Sequence, residues 1–389
     1  MKRKIISLAF LFLFVACLMT GKSVVMAQPV ASDGSNLNVK AYYLMDYATG
    51  ETLLENNAEQ KLPVASIVKL MTIDLVCREI EAGNLSLEDT LVASENASSM
   101  GGSQVFIETN GEYSVADMLK SVIVSSANDA SVALAEKIAG SEEEFVNMMN
   151  ARAKELGLVG TNYVNCTGLP APNQFSCAKD TAILLGEVSS HDIYHKFSTI
   201  WMDTLSHPKG RESELVNTNK LIRYYEGCDG GKTGSTSEAG YCLSATAKRG
   251  NMRLVGVVLG AENGKARFSE TSKLLNYGFA NFENKKVVDS DSFEVDIEVA
   301  GGKVKMAKAK PSGDLVVLCK KRDNAGDVSV ETKLDQVSAP MKAGDKVGMV
   351  YVTKNGVVVA ESELLLTQDV EKANILDGIQ KIVEYWKIL

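Results

Sequence analysis

The sequence predicts an α/β (α+β) domain, an antiparallel sheet with a helical subdomain, followed by a small all-β domain and a C-terminal amphipathic helix. Three observations carry that expectation. Strand-like runs flank a stretch from Ser66 to about Gly186 that is dominated by helix signals. Near Lys285 the texture changes to short alternating runs broken by Gly, Asp and Asn. The final stretch, "DVEKANILDGIQKIVEYWKIL", spaces Ile375, Leu376, Ile379, Ile382, Val383 and Trp386 along one helical face. A chain of 389 residues also exceeds one average domain.

Taken in order, Met1–Ala27 joins a basic "MKRK", a short apolar core and small residues before Gln28, the pattern of a secretory signal peptide. The apolar run is short for a membrane span. Residues 28–37 form a polar linker, and the expected domains are 38–284, 285–367 and a terminal helix over 368–389. "VKAYYLMDYATGETLLENN" is a hairpin turning at Gly50. "SVADMLKSVIVSSANDASVALAEKIAG" is a helix opened by Ser114 with Asp117 three residues on, and Ser126 and Asn128 fall mid-helix. "SEEEFVNMMNARAKELGL" repeats the pattern from Ser141, its glutamates suited to a helix N-terminus. "GYCLSATAKRGNMRLVGVVLGA" holds two strands joined through Arg249-Gly250-Asn251, and "ARFSETSKLLNYGFANFEN" is one more helix.

Composition narrows the function classes. With 45% hydrophobic and 23% charged residues the chain reads as soluble and globular. Met1–Ala27 carries Lys2, Arg3, Lys4 and Lys22 and no acid, so its removal leaves a protein four charges more negative than the full chain's −8. Such a balance argues against nucleic acid as a partner. Six cysteines beyond Cys17 are irregularly spaced, without Cys-x-x-Cys, which predicts core thiols; Cys166 with Cys177 is the one pair to test as a disulfide. His191 and His195 stand four apart but lack the glutamate of His-Glu-x-x-His and a third ligand, so a surface helix and no metal are expected. There is no Gly-x-Ser-x-Gly elbow.

Ser-x-x-Lys, a nucleophile one helical turn from a base, occurs three times: Ser66–Lys69, Ser176–Lys179 and Ser206–Lys209. A serine hydroxyl needs an adjacent base, and on a helix Lys69 would share a face with Ser66. Pro208 breaks any helix that would orient Lys209, and Ser176 follows the loop "APNQF". Only Ser66 opens a long apolar helix and is followed, in order, by Ser126-Ala127-Asn128 and Lys232-Thr233-Gly234.

That ordered triple, with "LMDYATGETLLENNAEQKLPVASIVKLMT", "GLPAPNQFSCAKD" and "RFSETSKLLNYGF", resembles the exported D-alanyl-D-alanine carboxypeptidases among the penicillin-binding proteins, the penicilloyl serine transferases. The resemblance runs from about Val39 to Phe282 and implies a β-lactamase/transpeptidase-like fold. It implies Ser66 as nucleophile, Lys69 as general base, Ser126 as proton relay, and Asn128 and Lys232 as partners of substrate and base. It further implies substrate binding by Thr233, Gly234 and Ser235, with the backbone N–H groups of Ser66 and Ser235 as oxyanion hole and Arg267 on the substrate carboxylate. Lys69 must be neutral to act, and burial with a second cation, Lys232, would depress its pKa. Peptidoglycan stem peptides as substrate, β-lactams as inhibitors, no cofactor, and a location outside the cytoplasmic membrane follow from the same resemblance. In that family a terminal helix such as 368–389 lies at the membrane surface, although here its polar face mixes both charges. Two rival readings stay open. A class A β-lactamase is disfavoured because "NYVNCTGLPAPNQFSCAKD" contains no glutamate. A non-catalytic penicillin sensor would keep Ser66 and lose turnover.

Overall fold

The structure, a computed structural model, describes residues 36–322, 326–375 and 377. The expected signal peptide, most of the linker and most of the terminal helix lie outside these residues.

A five-stranded antiparallel sheet organises the first domain. Strand β1 (Ala41–Asp46) pairs with β2 (Thr52–Asn56) through the predicted turn, where Gly50 adopts φ +70°. Three later strands, β3 (Cys228–Thr236), β4 (Gly240–Arg249) and β5 (Met252–Ala261), complete the order β2-β1-β5-β4-β3. Both faces are covered, so β1 is buried throughout, and its side chains alternate between two cores. Tyr43 and Met45 join the core beneath the helical subdomain. Tyr42 and Leu44 join a second core with Leu274, Leu275 and Phe279 of the helix Gly264–Asn281.

The helical subdomain contains α1 (Lys69–Glu81), α2 (Val115–Ser125), α3 (Asn128–Ala139), α4 (Glu142–Glu155), α5 (Ala178–Val188) and α6 (Asp192–Ser198). Its caps follow the sequence signals: Ser114 Oγ accepts from Asp117 N at 3.0 Å, and Ser141 Oγ from Glu144 N at 3.1 Å. Two expectations need correction. The helix predicted across Ser126 and Asn128 is two helices, because Ser126 ends α2 in the left-handed conformation, φ +62°. Ser66 does not open the α-helix; it sits in a preceding 3-10 turn, Ala65–Val68, and the helix starts at Lys69.

Strand Phe282–Val288 continues directly from Asn281 and pairs with Leu315–Lys320, so the texture change near Lys285 falls within a strand. The rest of the second domain is a six-stranded sheet with its own core of Val, Leu and Ile side chains. Asn284 Nδ2 donates to buried Asp46 Oδ1 at 2.7 Å, tying this domain to the end of β1. At the tail, Val370 and Lys372 make β-bridges to Met341 and Gly302, so these first residues of the expected helix are extended. No helix among the described residues is long and apolar enough to cross a membrane.

Candidate active site

The three motifs converge on two buried amines. Lys69 is wholly buried; its Nζ lies 3.2 Å from Ser66 Oγ, donates to Asn128 Oδ1 at 2.6 Å, and donates also to the carbonyl of Thr167. Lys232, equally buried, donates from Nζ to Ser126 Oγ at 2.6 Å and to the Thr233 carbonyl at 3.2 Å. Residues from the 3-10 turn, the α2–α3 break, the loop before α5 and strand β3 thus meet around Ser66, which stays partly accessible.

Local structure explains the convergence. The left-handed Ser126 turns the chain between α2 and α3, so that Ser126 Oγ and Asn128 both face the lysines instead of opposite sides of one helix. Asn128 is held in turn by Ser103 O, which accepts from its backbone N at 2.7 Å, and by Gly101 O, which accepts from Nδ2 at 2.6 Å. Strand β3 presses directly on the nucleophile turn: a Cβ on Gly234 would stand 2.5 Å from Val64 O. A Cβ on Gly168, φ +82°, would stand 2.1 Å from Ala65 O, so the loop before α5 closes on the same turn from elsewhere in the chain.

Burial pushes the Lys69 amine down to about 7, against partial opposition from Cys166 and Asp129. The expected lowering of Lys69 thus comes from desolvation, and Lys232 is not among the groups that shift it. Burial also holds Lys232 well below its ordinary value, with the charges of Lys69 and Arg267 adding to the effect. A neutral amine has two N–H groups and one lone pair. Asn128 Oδ1 and Thr167 O accept the two hydrogens, which leaves the lone pair for the Ser66 hydroxyl.

The other two Ser-x-x-Lys pairs are separated. Ser176 is buried beside Thr161 Oγ1 while Lys179 reaches Glu59 at the surface. Lys209 is exposed beside Glu108. At the mouth, Arg267 NH1 donates to Gly234 O at 3.3 Å, and its guanidinium lies 4.9 Å from the Phe268 ring centre. Its Nε is buried without a partner. Ser235 is exposed next to it on β3, and Thr233 Oγ1 donates to Thr218 Oγ1 at 2.8 Å. Sequence reasoning missed both the Thr167 carbonyl and Thr218. A backbone carbonyl carries no sequence signal, and Thr218 lies in no motif.

His191 departs from the surface reading: it is buried at the N-cap of α6, with Nε2 3.1 Å from Asp74 Oδ1 and Nδ1 2.9 Å from Glu81. Asp74, Glu187 and His191 bring three ligand atoms within 4.8 Å. Arg152 fills that space with its own charge, bonding Asp74 Oδ2 at 2.9 Å and Glu187 Oε1, which makes the cluster an ion-pair network. Burial acts to lower the His191 pKa, but its bonds to Asp74 and Glu81 outweigh burial and hold it above the ordinary value. All six described cysteines are free and buried, Cys166 and Cys177 included.

A profile of the D-alanyl-D-alanine carboxypeptidase family matches residues 26–263. The chain belongs to that family. A second profile, the C-terminal domain of penicillin-binding protein 5, matches residues 282–372, the all-β domain. The D-alanyl-D-alanine carboxypeptidase DacF of Bacillus subtilis (strain 168) is 39% identical over 348 residues, covering 89% of this chain and 90% of the relative. DacC of Escherichia coli (strain K12), also described as a D-alanyl-D-alanine carboxypeptidase, is 35% identical over 383 residues, 96% of this chain and 93% of the relative. Among solved structures, penicillin binding protein 5 from Haemophilus influenzae superposes with a TM-score of 0.67 at 33% identity, over 87% of this chain and 98% of that one. This carboxypeptidase family member therefore has the mixed fold with an all-β appendage that its sequence predicted.

Proposed function

We propose that the protein removes the terminal D-alanine from peptidoglycan stem peptides through an acyl-enzyme on Ser66. The observation that carries the reading is the wholly buried Lys69 amine, held near neutrality with two acceptors on its hydrogens and Ser66 Oγ in the remaining direction. Ser66 passes its proton to Lys69 as Oγ bonds to the penultimate D-alanine carbonyl. The resulting oxyanion faces the backbone N–H groups of Ser66 and Ser235. Ser126, hydrogen-bonded to Lys232, relays a proton to the leaving nitrogen and is restored by the proton that Lys69 took from Ser66; the C–N bond breaks, D-alanine departs and Lys69 is neutral again. Water then cleaves the Ser66 ester. Arg267 and the hydroxyls of Thr233 and Ser235 take the substrate's terminal carboxylate, the Thr233 hydroxyl turning to it from Thr218.

β-Lactams acylate the same serine in this reading, which the penicillin-binding relatives support. The loop before α5 brings a carbonyl, not a carboxylate, to Lys69, in keeping with a peptidase over a class A β-lactamase. Residues 1–27 direct export, the enzyme works outside the cytoplasmic membrane, and the part of the expected terminal helix that lies beyond the bridged Lys372 docks on the membrane surface.

The test is release of D-alanine from diacetyl-L-lysyl-D-alanyl-D-alanine by purified protein, with mass spectrometry of the penicillin adduct. Release with an adduct on the peptide carrying Ser66 is expected, and Ser66→Ala should lose both. Labelling without release would make the protein a sensor; rapid penicillin turnover would make it a β-lactamase.

A further inference from the structure

We propose that Asn165 is a positioning residue for the base, holding the Thr167 carbonyl on the Lys69 amine. The proposal rests on the reading of Lys69 as the base of Ser66.

None of the three motifs contains Asn165, yet its side chain organises the segment that completes the lysine's surroundings. Its Oδ1 accepts from Gly168 N at 2.7 Å, Thr167 Oγ1 at 3.1 Å, Thr167 N at 3.2 Å and Gln174 Nε2 at 3.1 Å. Its Nδ2 donates to Leu169 O at 3.0 Å. One amide therefore gathers three consecutive residues, 167 to 169, into a tight turn. Gln174 locks that amide's orientation, because its Oε1 accepts from Val164 N and Asn165 N at 2.9 Å each. The preceding residue is fixed independently: Cys166 O accepts from Thr72 Oγ1 on α1 and Ser131 Oγ on α3, both at 2.9 Å.

With Cys166 O turned toward those hydroxyls and the Thr167 and Gly168 N–H groups turned toward Asn165, the Thr167 carbonyl is left pointing at Lys69 Nζ. The same turn seats Gly168 against Ala65 O and Ser66 N, so its position also sets the backbone of the nucleophile. Removing the Asn165 amide would free the Thr167 peptide to rotate. Lys69 would then keep one fixed acceptor instead of two, and its lone pair would no longer be aimed only at Ser66. An acceptor carbonyl favours the charged form of an amine, so its withdrawal also moves the lysine further toward neutrality.

The experiment measures penicillin acylation rate against pH, normalised to active sites titrated at completion, for wild type, Asn165→Ala and Asn165→Asp. Asn165→Ala should acylate roughly tenfold or more slowly per site at its plateau, with the acid limb moved to lower pH. Asn165→Asp keeps the acceptor oxygen for Thr167 and Gly168 and should retain a plateau within about threefold of wild type. A purely structural role would reduce the number of sites and leave the per-site rate and pH profile unchanged, and that result overturns the proposal. Should Asn165→Ala fail to accumulate as folded protein, Gln174→Ala, which releases the Asn165 amide from its lock, decides: a slower per-site plateau with the acid limb moved to lower pH sustains the proposal, and a wild-type rate and profile overturn it. Ser66→Ala, run alongside, separates the two readings. Acylation surviving that substitution sinks the assignment of the nucleophile, whereas its loss beside a wild-type Asn165→Ala profile sinks only the role of Asn165.

Discussion

Lys232 Nζ stands 2.6 Å from Ser126 Oγ, joining strand β3 to the break between two helices more than a hundred residues earlier in the chain. The lysine holds the hydroxyl in place, and in the proposed reaction that hydroxyl protonates the departing nitrogen. Ser126→Ala should lower kcat for D-alanine release by roughly 10²–10⁴-fold. Lys232→Ala should lower it comparably, and the double variant should fall no further than the worse single. Steady-state D-alanine release from the three variants checks this.

In the proposed mechanism Lys69 gives acylation its pH dependence. Only the neutral amine accepts the Ser66 proton, so the acylation rate should rise with pH through about 7 and then level. Lys69→Arg should abolish acylation, because a guanidinium does not deprotonate. Linkage adds a stability signature. The unfolded chain binds this proton below about 10.5 and the native protein only below about 7. The native state should therefore gain stability as pH rises between those values, and Lys69→Met should flatten that slope in denaturation curves.

In the proposed reaction Arg267 selects the substrate by the charge of its terminal carboxylate. Arg267→Gln should lower kcat/KM for a peptide with a free terminal carboxylate by roughly 10–100-fold, the range of a charge-assisted hydrogen bond. A substrate amidated at that end should respond little. Equal losses on both would remove the residue from carboxylate recognition.

The Asp74–Arg152–His191 network supports α1 from below. Arg152→Met leaves the buried Asp74 carboxylate short of its cation and should cost about 3–5 kcal/mol in equilibrium unfolding. Because the His191 pKa is raised in the folded protein, its contribution is fully present below about 6.5 and is lost as pH rises through the folded value. His191→Asn should remove that loss of stability with rising pH.

Much of the architecture was legible because it rests on local chemistry: Ser114 and Ser141 cap the helices they were expected to cap, and Gly50 turns the first hairpin. The ordered motifs picked Ser66 from three equivalent tetrapeptides, and the structure keeps the other two lysines on the surface. What escaped was set by tertiary contacts. Apolar residues flank "SSAND" on both sides in "VIVSSANDASVAL", and that polar interruption did not by itself mark Ser126 as left-handed. His191 looked like a surface residue until α1 placed Asp74 and Glu81 against it. The Thr167 carbonyl is backbone, and in the proposed arrangement its direction follows from Asn165 in its own loop and from Thr72 and Ser131 on two helices.

Two glycines, Gly168 and Gly234, touch the backbone that leads into Ser66, and they arrive from parts of the polypeptide made long after it. A nascent or partly unfolded chain that has not yet docked those parts holds the serine but not its surroundings, and so is inert toward peptide and drug alike. Covalent capture of a β-lactam therefore counts correctly assembled molecules, and a fluorescent penicillin would report refolding of this protein directly, molecule by molecule.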